Sequence, residues 1–311
     1  MPPSTMHSTL DAANARLDRA LRRRLTGDLR QALGRGDLAV HYQPRVTLPD
    51  GCRSGAEALL RWQHPRLGNI PPSTFIPLAE SSELIVELGA WVLAKATRQA
   101  ASWQGPRPGT ISVNVSARQL RGGALLGQVT AALEESGLPP ERLELELTES
   151  MLVDGSADTL LTLAAIRDLG VGLALDDFGT GYASLSVLKR LPLTTLKLDR
   201  AFIRDLPGDA EDAAIVRGVR GIAGALGLDV VAEGVETEDQ RAFLSGIGCE
   251  EAQGYLFGRP VAPEALLGHS GLPEALLLQT APPEAPLAHS GTLEGLAAPA
   301  RLRIGSGRGH G

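Results

Sequence analysis

The chain has 311 residues, 43% of them hydrophobic and 21% charged, and a formal net charge of -6. That length and apolar share support a sizeable core in the ordinary soluble globular range, as one large domain or two small ones. The acidic balance leaves no basic surface to wrap DNA, although metal ions can still hold a small anionic phosphoester.

The segment from Met1 to Arg24 has no apolar signal-peptide core, and apolar residues nowhere run to the ~18 that a membrane span needs. A cytoplasmic protein without a membrane anchor is expected. Cys52 and Cys249 lack C-x-x-C spacing, so each reads as core filler in a reducing compartment.

In chain order, residues 10–33 carry Ala, Leu and Arg at helical spacing and predict a helix that enters the domain or links it to a partner. Short apolar runs at 38–42, 56–60, 111–115, 143–147, 171–175, 195–198, 230–232 and 252–256 predict strands. Between them, 85–103, 125–136, 158–169, 212–226 and 238–246 repeat apolar residues every three or four positions and predict helices. Gly137, Gly170, Gly227 and Gly248 stand where a left-handed residue closes a helix. About eight such units favour a closed (β/α)8 barrel over an open doubly wound sheet. No G-x-G-x-x-G follows the first strand to support the open alternative. After Pro260 the chain turns to Pro, Ala, Gly, Leu and Ser without a period, which predicts a disordered tail with at most a short helix at 273–279.

Seven of these apolar runs stop at a polar residue: Glu57, Asn114, Glu146, Asp176 with Asp177, Lys197, Glu233 and Gln253. In a βα-repeating protein the carboxyl ends of the strands share one face, so these residues are expected to meet in one site. Carboxylates are hard oxygen ligands suited to Mg²⁺ or Mn²⁺, and a pair of ions needs several of them. Asp176-Asp177 alone reads most simply as a turn or cap. The Phe178-Gly179-Thr180-Gly181-Tyr182 that follows adds a loop able to close over a ligand.

Glu57, inside an apolar strand, needs a cation or a place at the barrel mouth, with Arg61 as its simplest partner. Asn114 offers a neutral carbonyl ligand or ties down a loop. Glu144 and Glu146 share the face opposite three leucines; Glu144 is expected to be solvated on the outside and Glu146 to be the ligand, while Glu149 braces a neighbouring loop. Lys197 reads either as a core ion pair with Asp199 or as a cation that holds a water and offsets charge on a phosphoryl group. Of the last acids, Glu233 rather than Glu236 ends its strand.

Taken in order, Tyr42-Gln43-Pro44, Glu57-Ala58-Leu59-Leu60-Arg61-Trp62, Asn114-Val115-Ser116, Glu146-Leu147-Thr148-Glu149, Asp176 to Tyr182, Lys197-Leu198-Asp199, Ala232-Glu233-Gly234-Val235-Glu236 and Gln253-Gly254-Tyr255 resemble the EAL domain family of cyclic di-GMP phosphodiesterases. The resemblance implies an α/β fold, a modified TIM (β/α)8 barrel whose first strand is antiparallel to the rest. It implies metal-dependent hydrolysis of one phosphodiester of cyclic di-GMP to linear pGpG. Glu57, Asn114, Glu146 and Asp176 would bind one Mg²⁺ or Mn²⁺, and Asp176, Asp177 and Glu233 the second. Lys197 and Glu233 match residues at the catalytic water, with Lys197 or a carboxylate as base, and Gln253 matches another polar residue of the centre. Gln43, Leu59, Arg61 and Glu236 match substrate contacts, and Glu149 matches the acid that holds the loop beginning at Asp177. Ser82-Glu83 and Ala183 depart from common family residues, and neither change removes a ligand.

The expected organisation is a helix or linker stub at 1–26, the phosphodiesterase barrel at 27–263 and a tail at 264–311, with no cyclase or sensor domain ahead of the barrel. A homodimer, an unknown sensor or regulatory partner, no DNA and no membrane complete the expectations. The alternatives are a catalytically silent cyclic di-GMP receptor or interaction scaffold, and a barrel hydrolase acting on another phosphoester. The complete ligand set favours the phosphodiesterase.

Overall fold

The computed structural model of the protein describes residues 4–105, 108–152, 156–179 and 188–266. Helix α1 (Ser4–Arg35) leads into a hairpin of β1 (Leu38–Thr47) and β2 (Arg53–His64), to which β3 (Gly68–Ile70) adds an edge. Helices α2 (Pro72–Glu80) and α3 (Leu84–Ala101) follow, then β4 (Thr110–Asn114), α4 (Ala117–Arg121), α5 (Leu125–Ser136) and β5 (Leu143–Thr148). The chain continues through α6 (Ala157–Asp168), β6 (Gly172–Phe178), β7 (Thr195–Leu198), α7 (Arg200–Ile203), α8 (Ala210–Leu226) and β8 (Asp229–Ala232). It ends, among the described residues, with α9 (Glu238–Gly246), β9 (Glu251–Gln253) and α10 (Pro263–Leu266).

Strand pairing runs β1-β9-β8-β7-β6-β5-β4-β2 and returns to β1, so an eight-membered ring closes. β1 is antiparallel to both of its neighbours, and every other pair in the ring is parallel. This is the modified barrel that the motifs imply.

Short elements escaped the periodic reading. β3 has three residues and α4 five, too few for a repeating pattern, and α2 begins after Pro71 and contains Pro77, which reads as a helix breaker. The run expected at 252–256 stops as a strand at Gln253, whereas that at 171–175 extends through both aspartates to Phe178. Gly137 and Gly227 do close helices, at φ 67° and 71°. Cys249 is buried, but Cys52 lies exposed beside the β1–β2 turn and fills no core. The tail and the short helix expected at 273–279 lie outside the described residues.

The leucines of β5 explain how the barrel is built. Leu143, Leu145 and Leu147 are fully buried in a cluster with Leu163 and Ile166 of α6 and Val129 and Leu133 of α5. Strand side chains alternate between faces, so the glutamates between these leucines point into the barrel. Each fully buried leucine contributes about 1.5–3 kcal/mol, which anchors the outer face firmly enough to carry polar groups on the inner one. A second cluster, with Leu25, Leu29 and Ala32 of α1, Trp62 of β2, and Phe75 and Leu78 of α2, docks the end of the first helix on the barrel.

Candidate active site

The inner face carries two tiers of polar side chains. In the lower tier, Arg45 lies 2.5 Å from Glu144 Oε1 and 2.6 Å from Glu251 Oε2, and also donates to Ser112 Oγ at 3.1 Å. Thr195 and Ser112 donate to Glu144 at 2.6 and 2.8 Å. Glu144 is 6% exposed, so the expectation of a solvated outer residue is overturned: with side chains alternating, it must share the interior with Glu146. Burial raises the Glu144 pKa, but the Arg45 charge and the three donors outweigh it and hold the value at about 2.

The upper tier gathers the residues read from the strand ends. Glu57 accepts from Asn114 Nδ2 at 2.7 Å and from Gln253 Nε2 at 2.6 Å. The expected alternative pairing with Arg61 does not form; Arg61 donates to the carbonyl of Leu60. Gln253 also donates to Gln43 Oε1 at 3.2 Å, and Gln43 to the carbonyl of Gly258. Lys197, 1% exposed, lies 2.5 Å from Glu233 Oε1, 2.8 Å from Glu146 Oε2 and 3.4 Å from Asp176 Oδ1. Asp199, its expected partner, instead caps α7 by accepting from the Ala201 amide at 2.7 Å.

Inside β6, Asp177 takes the left-handed region, at φ 56°, where β6 and β7 slip out of register between Leu175 and Phe178. Such an irregularity breaks the strict alternation that would otherwise send adjacent aspartates to opposite faces. The Asp177 amide donates to Asp176 Oδ1 at 3.0 Å. Glu149 is buried in the turn after β5, and residues 180–187, most of the loop it was expected to brace, lie outside the described residues.

The electrostatics show a shortage of positive charge. Burial pushes the Glu146 pKa well up, and neighbouring Glu57 adds to the push against the opposing effect of Lys197. Burial likewise raises Glu233 to about 7, partly offset by Lys197. Lys197 loses solvation too, but Glu146, Glu233, Glu57 and Asp176 hold its pKa well above the ordinary value, so it stands as a cation and a donor. Glu57 is the exception: burial is outweighed by Lys197 and by the amide donors of Gln253 and Asn114, and its pKa is lowered.

Both oxygens of Glu146 and Oε1 of Glu233 are buried without an aligned hydrogen bond, and Lys197 approaches only Glu146 Oε2 and Glu233 Oε1, as charge contacts. Buried hard oxygen donors with too little countercharge fit Mg²⁺ or Mn²⁺ by chemistry. As placed, no three acids among the described residues are spaced to hold a metal ion, and the Lys197 ammonium takes the position between Glu146, Asp176 and Glu233.

A cleft of about 220 Å³ opens above this tier, lined by Gln43, Glu57, Leu59, Glu233, Glu236 and Gln253 together with Arg200 and Tyr255. Arg61, Asn114 and Leu59 border a second, more apolar cleft of about 280 Å³ that reaches α2 and α3. Sequence reasoning missed Arg200, Tyr255 and the lower tier. A signal for the latter was present: Ser112, Glu144, Thr195 and Glu251 each stand two positions before Asn114, Glu146, Lys197 and Gln253, hence on the same strand face.

No helix among the described residues is long and apolar enough to cross a membrane. A family model described as the EAL domain matches residues 26–260. The bifunctional diguanylate cyclase/cyclic di-GMP phosphodiesterase MucR of Pseudomonas aeruginosa is 49% identical over 245 residues, covering 78% of this chain and 36% of MucR. The cyclic di-GMP phosphodiesterase NbdA of the same organism is 46% identical, covering 77% of this chain and 31% of its own. The chain thus spans about a third of the length of these curated relatives. Among solved structures, the PaMucR phosphodiesterase in complex with c-di-GMP is 48% identical, with a TM-score of 0.74 over 78% of this chain and 99% of that one. On the match to 26–260, the ring with its antiparallel first strand and the strand-end acids, the chain belongs to the EAL domain family.

Proposed function

We propose that the chain is a metal-dependent phosphodiesterase that hydrolyses cyclic di-GMP to linear pGpG. The observation that carries this reading is the upper tier itself: Glu146, Asp176 and Glu233 lie within 3.4 Å of a single buried ammonium, and Glu57 stands beside them on the amides of Asn114 and Gln253. Glu57, Asn114, Glu146 and Asp176 would hold one Mg²⁺ or Mn²⁺, and Asp176, Asp177 and Glu233 the other. Bound there, two ions would supply the charge to activate a water for in-line attack and to steady the leaving 3′-oxygen.

Lys197, held cationic, donates to the water or to a phosphoryl oxygen, and Gln253 keeps Glu57 ionised and oriented. Gln43, Leu59, Arg61 and Glu236 contact the substrate along the two clefts. Glu149 steadies the loop that starts at Asp177. The barrel unit spans 27–263, works in the cytoplasm as a homodimer, and takes its input from a sensor or regulatory partner.

Cyclic di-GMP incubated with the purified protein and Mg²⁺ or Mn²⁺ is expected to give pGpG by chromatography, and EDTA to stop the reaction. Product formation unaffected by EDTA would refute the metal role. Tight binding with no product under any divalent ion would favour a receptor instead.

A further inference from the structure

The cleft wall contains an ion pair that the strand-end reading does not account for. Arg200, the first residue of α7, lies three positions beyond Lys197 and places Nη2 2.8 Å from Glu236 Oε1. Both side chains line the 220 Å³ cleft beside Glu57, Glu233 and Gln253. The pair is solvent-exposed, with side-chain accessibilities of 56% and 40%, and exposed pairs contribute little to stability.

The surroundings nevertheless fix it from several sides. Gly234, at φ 68°, leaves room for the Arg200 stem: a Cβ there would come within 2.4 Å of Arg200 Cγ. The Glu236 amide donates to Gln240 Oε1 at 2.7 Å, and Gln240, 4% exposed, donates in turn to the carbonyl of Arg204 at 3.0 Å. The backbone of Glu236 is therefore pinned through α9, and its carboxylate through α7. A carboxylate held at a cleft wall accepts from adjacent N–H groups, and the Watson–Crick edge of guanine offers N1–H beside an amino group where adenine offers an acceptor.

We infer that Arg200 is a positioning residue for base selection: it holds the Glu236 carboxylate in the orientation that accepts the donor edge of a guanine. The inference rests on the proposed cyclic di-GMP reading and assigns Arg200 a role through Glu236.

The test is calorimetric binding of cyclic di-GMP and cyclic di-AMP to the full chain, its variants Arg200→Ala, Arg200→Lys and Glu236→Gln, and the double variant Arg200→Ala/Glu236→Gln. Arg200→Ala is expected to weaken cyclic di-GMP binding about tenfold, with a smaller change for cyclic di-AMP, so that discrimination falls. Arg200→Lys recovers part of the loss. In the Glu236→Gln background the same change adds less than about twofold, because the two residues act as one unit. Thermal melting serves as the fold control. Equal weakening of both ligands, additive losses in the double variant, or unchanged cyclic di-GMP affinity in Arg200→Ala would each overturn the inference.

Turnover on the wild-type sample separates the two claims. Binding without product contradicts hydrolysis, while the comparison of affinities still decides Arg200; wild-type protein that binds no cyclic di-GMP overturns both.

Discussion

At the scale of single residues, the barrel interior is a problem in charge compensation. Lys197 is enclosed by Glu146, Glu233 and Asp176, and taking away one member of a buried pair leaves the others without countercharge. Lys197→Met is therefore expected to lose about 3–5 kcal/mol of stability in metal-free buffer, part of which Mg²⁺ restores because a ligand of the folded state stabilises it. Its turnover should fall by at least about 100-fold, in line with loss of a positioned donor. Denaturant titrations with and without Mg²⁺ check the first claim; an Mg²⁺-independent loss would contradict it.

Glu57→Ala is expected to weaken Mg²⁺ or Mn²⁺ binding and to abolish most turnover, readable as a rightward shift in the metal titration of activity. Glu144 gives the pH dependence. Its pKa is held at about 2 against an ordinary 4.5, so its contribution is fully present above pH 4.5 and is lost as pH falls toward 2. That window should cost on the order of 3 kcal/mol. Glu144→Gln should remove this segment of the acid sensitivity, and an unchanged acid profile would contradict the Arg45 pairing.

At the scale of elements, the alternation in β5 exposes what a sequence can and cannot reveal. The period of two places Glu144 and Glu146 on one face, but it does not say whether that face meets solvent or the inside of a closed ring. The expectation chose solvent for Glu144, and ring closure puts both residues indoors. Asp176, Asp177 and Glu233 were legible because each follows an apolar run. Arg200 and Tyr255 were not, since they lie beyond the strand ends, in the first turn of α7 and in the turn after β9.

Gly254 opens that turn: a Cβ there would lie 2.0 Å from the carbonyl oxygen of Val235. Gly254→Ala should therefore displace Gln253 from Glu57, with a cost of about 1–3 kcal/mol and a lower kcat. Leu29→Ala in the buried face of α1 should cost about 2–5 kcal/mol by cavity formation, while activity per folded molecule is retained. A chemical-denaturation series that includes both variants distinguishes the two outcomes.

At the scale of the whole molecule, ring closure converts acids spread from Glu57 to Glu233 into one site. The eight-unit rhythm and the helix-closing glycines made the barrel readable. The antiparallel first strand left no trace in periodicity, because a strand's direction does not alter its pattern of two; it was carried by the family motifs alone. The β1–β2 hairpin has a structural consequence for the site: it sets Gln43 opposite Glu57 in register and brings Arg45 against both Gly55 and Gln253, tying the polar tiers to the seam where the ring closes.

The central claim is that this assembled interior cleaves one phosphodiester by attack of water. Mass spectrometry of the product formed from cyclic di-GMP in ¹⁸O-labelled water, with Mg²⁺ or Mn²⁺ present, tests it most directly. The account predicts linear pGpG carrying a single ¹⁸O on its terminal phosphate. Recovery of cyclic di-GMP intact and unlabelled from its complex with the protein would contradict it.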